Sequence, residues 1–107
     1  ASSEARWLAA ERDTHHMLAM LDAWEESGGM GERAWQYAQM ARVYFKKLRN
    51  GRVLSSADFD ITVLLATAVQ RALQAEPAVL EKSADLQSAA TACERIQSAN
   101  TALRQPR

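Results

Sequence analysis

Residues 55–75 read SSADFDITVLLATAVQRALQA, and this stretch decides the fold class. Ser55 or Ser56 can accept a hydrogen bond from the backbone N–H groups of a starting helix, and Asp58 supplies a capping-box-like carboxylate. Phe59, Ile61, Val63, Leu64, Leu65, Ala68, Val69, Ala72 and Leu73 follow. The β-branched residues favour a strand locally, but the apolar stretch is too long for one strand and contains no turn signal. It therefore predicts a helix over about 56–75, and its apolar character makes this the central one.

Outward from it, Glu76-Pro77 breaks the chain. Proline suits a first helical turn and disrupts a helix interior, so another helix is expected from Pro77 to about Leu103. Val79, Leu86, Cys93 and Asn100 recur every seven residues there, and Ala89, Ile96 and Leu103 form a second row of the same period. Such a narrow seam resembles a coiled-coil edge. Asn100 on that seam could fix a register. Residues 104–107 read as a frayed tail.

On the other side, Arg52-Val53-Leu54 is a short link, with Val53 or Leu54 free to tuck beneath the helices. Asn50-Gly51 closes a helix that starts near Glu32, giving 32–50. Ala34, Ala38, Ala41, Phe45 and Leu48 form its inner row. Tyr37, Met40 and Tyr44 form a second row, so this helix is expected to contact two neighbours. Gly28, Gly29 and Gly31 make a flexible connection before it. The first helix, about 3–27, is capped by Ser2 or Ser3 and carries Trp7, Ala10, Met17, Leu21 and Trp24 on one face.

Four helices with short links predict an all-α, single-domain, antiparallel four-helix bundle in up-down-up-down order, over residues 1–107. The unequal helix lengths leave room for pairing between two copies. A chain of 107 residues with 48% hydrophobic residues can bury a core of its own. No apolar run is long enough to span a membrane. One cysteine excludes an internal disulfide and weakly favours a reducing, cytoplasmic setting, although a cleaved signal peptide would leave the same sequence.

The formal net charge is zero, with 13 basic and 13 acidic residues, which gives no global pull toward nucleic acid. Locally the charges separate. Arg42, Lys46, Lys47, Arg49 and Arg52 form a basic segment without an acid, whereas residues 1–32 carry seven acids against Arg6 and Arg12. The segment is a candidate contact for phosphate or an acidic partner, with Tyr44 positioned to stack on a base. The plainer reading is a dipole-complementing helix end that pairs with the acids of the first helix.

Asp13, His15 and His16 offer titratable and metal-binding groups. Adjacent helical residues point about 100° apart, however, and helical metal sites space their ligands three or four apart. These are read as ordinary histidines, and no metal is assigned. Cys93 lies on the inner seam, with no base nearby to activate it, and is read as packing. Asp58 and Asp60 point to different faces and make a poor acid–base pair. No phosphate-binding glycine loop is present. The expectation is a protein without catalytic residues or cofactor.

Three tryptophans and four methionines are generous for 107 residues, and their plainer reading is core filling, since apolar residues at helical spacing usually face the core. Trp35 and Met20 fall off the main inner rows, and Met30 sits in the glycine link. Trp35, Met20, Met30 and Tyr44 are therefore the candidate partner-binding residues, since tryptophan is frequent at interface hot spots and methionine repacks easily. The function expected is a protein–protein interaction module: an adaptor, secretion-type chaperone, inhibitor or assembly subunit, with a homodimer plausible. The alternative is a nucleic-acid-associated regulator using residues 42–52.

Overall fold

A computed structural model describes residues 2–105. Among these the chain forms four long helices and one short one, and no strand. α1 spans Ser3–Glu26, α2 Glu32–Lys46, α3 Ser56–Gln74, α4 Pro77–Lys82 and α5 Ala84–Arg104; a single 3-10 turn, Arg49–Gly51, lies between α2 and α3. The all-helical expectation holds.

The start signals act as read. Ser2 Oγ accepts the N–H of Ala5, and Ser55 Oγ accepts that of Asp58. Asp58 in turn accepts the N–H of Leu54 at 2.9 Å, fixing the chain's entry into α3. α3 is the hub of the fold, packing against α1, α2 and α5. Leu65, Ala66, Val69, Ala72 and Leu73 of α3 are buried with Met17, Leu21 and Trp24 of α1 and Leu86, Ala89, Cys93 and Ile96 of α5. From α2 this core receives only Ala34, Ala38 and Ala41 as fully buried side chains.

Two helix ends differ from the sequence reading. Helix 2 was expected to reach Asn50, but α2 stops at Lys46 and Lys47 caps it. Leu48 leaves the helix in an extended conformation and buries its side chain with Ala10, Val53 and Phe59 in a second, smaller apolar cluster. Burying a leucine side chain favours folding by roughly 2 kcal/mol, more than a further exposed helical turn offers. Of the two link residues, Val53 tucks in and Leu54 stays exposed.

The last helix was expected to be continuous over 77–103. It breaks at Ser83, whose backbone is extended and whose Oγ accepts the N–H of Leu86. Gln87 Nε2 donates to the carbonyls of Leu80 and Glu81 at the end of α4, the former also accepting the Ser83 N–H. Ser83 followed by Asp85 is thus a start signal inside an apparently unbroken pattern. The seven-residue seam narrows accordingly: Leu86, Ala89, Cys93 and Ile96 are buried, Val79 is half-buried in α4, and Leu103 is exposed. Arg104 belongs to α5 and pairs with Asp60 at 2.6 Å. Of the expected tail, residues 106 and 107 lie outside the described range. Asn100 Oδ1 accepts from Arg104 Nε in its own helix.

Candidate functional site

α2 reverses the usual allocation of side chains on a helix. Its fully buried residues are three alanines, while Trp35, Met40 and Val43 are 42%, 45% and 55% exposed. The alanine row lets the α2 backbone approach α3 closely. That close approach leaves no depth for the larger apolar side chains, which are pushed to the flanks. Of the row Tyr37, Met40 and Tyr44, the two tyrosines are half-buried against the core and Met40 is exposed. The row lies along the α2–α3 edge beside Leu64, which is 50% exposed.

Two shallow depressions, of about 300 and 270 Å³, run along this edge. They share Tyr37 and Arg71, so they form one trough. Arg33 lines one end, and Met40, Tyr44 and Leu64 line the other. No carboxylate lines either depression.

On its opposite flank α2 faces α1 through polar contacts. Arg42 donates to Asp22 Oδ1 and pairs with Glu25 Oε1, both at 2.6 Å, and also bonds Gln39. Glu25 Oε2 accepts the Trp35 indole N–H at 3.2 Å. Beyond this bridge lies a groove of about 530 Å³ lined by Leu18, Val43, Phe45 and Lys46, among others.

The basic segment divides into two groups. Arg42 is held by the acids of α1, and Arg52 Nε donates to Glu11 Oε1 at 3.1 Å. The same Glu11 oxygen accepts the N–H of Val53 at 3.0 Å; this bond, followed by that from Arg52, draws the Glu11 carboxyl below its ordinary pKa. Lys46, Lys47 and Arg49 are exposed and make no ion pair among the described residues. The five cations therefore do not form one free patch.

Asp13 and His16 reach different turns of α5, and His15 reaches the link between α2 and α3. Asp13 takes a two-pronged ion pair from Arg95, with its shortest contact at 2.8 Å. His15 Nε2 lies 2.7 Å from the Gly51 carbonyl, and a carbonyl only accepts, so His15 carries its proton on Nε2. His16 Nε2 lies 2.7 Å from Ser88 Oγ, whose own proton goes to the Asp85 carbonyl, so His16 is the donor there. Each imidazole thus commits Nε2 to donation. No group of three or more potential metal ligands comes together among the described residues.

Cys93 is buried, with Sγ 3.2 Å from Met17 Sδ. Burial, aided by the charges of Glu94 and Asp13, pushes its thiol up to about 12. At neutral pH it is a protonated, inaccessible packing group rather than a nucleophile.

The candidate partner-binding residues do not share one surface. Trp35 points to the α1 flank, Tyr44 lines the α2–α3 trough, and Met20 and Met30 are half-buried against the core. The sequence puts Tyr37 and Met40 in a second packing row and Leu64 in the apolar run of the central helix, and nothing in it singles out Arg33 and Arg71. For Met40 the signal was present: an inner row made mostly of alanine forces bulky neighbours outward. No helix is long and apolar enough to cross a membrane. Comparison with protein-family models, with curated proteins and with solved structures finds no match to this chain.

Proposed function

We propose that this chain is a non-catalytic protein–protein interaction module, acting as an adaptor, chaperone-like, inhibitory or assembly subunit. Its working surface is α2. The observation that carries the reading is the reversed allocation on that helix, with alanines inside and Trp35, Met40 and Val43 outside. A helix normally buries its large apolar side chains, because each fully buried one contributes about 1.5–3 kcal/mol. A chain that withholds this burial on one helix keeps the apolar area for something else. An antiparallel, up-down-up-down order of the long helices belongs to the same proposal.

The nucleic-acid alternative draws on Lys46, Lys47 and Arg49, which are free of ion pairs. It is the weaker reading, because Arg42 and Arg52 are engaged with α1 and affinity for a polyanion scales with the number of phosphates neutralised.

Affinity capture of the tagged chain from its native lysate, with and without nuclease, tests the proposal. The expected result is a stoichiometric protein partner that survives nuclease and is lost in a Trp35→Ser, Met40→Ser, Val43→Ser variant. A catch that vanishes with nuclease, or one indifferent to those changes, overturns it.

A further inference from the structure

The trough between α2 and α3 has a chemistry more specific than exposed apolar surface. From Arg33 to Tyr44 it follows α2 for about 16 Å, at roughly 1.5 Å per residue. That length accepts about three turns of a second helix, enough for apolar anchors at i, i+4 and i+7. Tyrosine, methionine and arginine supply half of the lining residues, and these residue types are enriched in protein interfaces.

The charged side chains that line the trough, Arg33 and Arg71, are of one sign, and the nearby Glu76 carboxylate accepts the Gly31 N–H. Arg42, Arg52, Arg95 and Arg104 each hold a carboxylate, but Arg33 and Arg71 hold none among the described residues. Two guanidinium groups thus stand at a polar end of the trough, beside an apolar stretch of Met40, Tyr44 and Leu64, and no acid lines either part. Guanidinium binds carboxylate in a two-pronged geometry and is weakly hydrated, so it is well suited to interface ion pairs.

We propose that this trough receives an amphipathic helix of a partner protein, with its apolar face on Tyr37, Met40, Tyr44 and Leu64 and its carboxylates on Arg33 and Arg71. The assignment rests on the interaction-module reading and names the chemistry of the partner. A small molecule suits the trough poorly, because the trough is shallow and open, whereas ligand pockets bury roughly 70–90% of their ligand. A second copy of the chain suits it no better. Two-fold pairing of this face brings Arg33 and Arg71 no carboxylate, because none lines the trough of either copy. Two cations beside methionine and leucine also provide little for a polyanion.

The test uses the full chain, labelled with nitrogen-15, and two synthetic helical peptides. Both peptides carry leucines at i, i+4 and i+7; one is flanked by glutamate and the other by lysine. The glutamate peptide is expected to shift the amide signals of residues 33–44 and 64–75 and to bind at least about tenfold more tightly than the lysine peptide. An Arg33→Glu, Arg71→Glu variant should reverse that order, and a Met40→Ser, Leu64→Ser variant should bind neither. All four positions lie at the surface, and the unmodified chain with the two peptides already decides the question.

Equal affinities, no binding of the glutamate peptide, or shifts confined to the α1–α2 groove overturn the proposal. So does an oligothymidylate that produces the trough shifts when the glutamate peptide does not. If the trough fails while nuclease-resistant capture persists and is lost in a Trp35→Ser, Val43→Ser variant, the partner sits on the other flank of α2. In that case the interaction-module reading stands without the trough.

Discussion

The imidazole Nε2 of His15 donates to the carbonyl oxygen of Gly51 at 2.7 Å, joining the middle of α1 to the turn between α2 and α3. Gly51 has a positive φ of 68°. A Cβ placed there would lie 2.9 Å from Phe45 Cζ and 3.0 Å from His15 Nε2. Glu11, one turn earlier on α1, holds the N–H of Val53. Two side chains of α1 therefore grip the same connection.

Gly51→Ala is expected to destabilise the fold by about 2–3 kcal/mol, combining left-handed strain with a clash against Phe45 and His15. His15→Ala should cost less, about 1 kcal/mol, for one lost hydrogen bond. Urea unfolding of both variants checks the order, and Gly51→Ala proving the milder change would show that the turn relaxes freely.

The two faces of α2 should respond oppositely to size and polarity. Ala38→Leu inserts bulk where α2 meets α3 and is expected to cost about 1–3 kcal/mol. Met40→Ser removes a large apolar side chain from the same helix and should leave stability within about 0.5 kcal/mol, as surface changes do. Thermal unfolding of the pair measures this. A large loss for Met40→Ser would mean that the side chain is needed for folding rather than held for a partner.

Cys93 provides a test at alkaline pH. Its folded-state thiol is pushed up to about 12, while an unfolded cysteine titrates near about 8.5. The unfolded chain therefore releases this proton first as pH rises. The stabilising contribution of the buried thiol is fully present below about 8.5 and is lost progressively between there and about 12. Cys93→Ala should flatten the fall in stability over that window. In the unmodified chain at pH 8, a thiol reagent should react only as fast as the protein opens, and rapid labelling under native conditions contradicts the burial.

Local signals in the sequence determined the helical class, the start of α3 at Ser55, the break at Pro77 and the inner positions of α1 and α5. Capping, apolar spacing and proline geometry act within a few residues, so they can be read without knowing what lies opposite. The tertiary structure decided what depends on distant groups. Leu48 leaves α2 because Val53 and Phe59 offer it a buried site. Arg42 and Arg52 are held by Asp22, Glu25 and Glu11, so the run of positive charge in the sequence is not a free patch on the surface. Met40 has the spacing of a packing row, yet it lies on an open edge. Spacing tells which side chains share a face of a helix; only the close seating of Ala34, Ala38 and Ala41 on α3 settles which of those faces another helix covers.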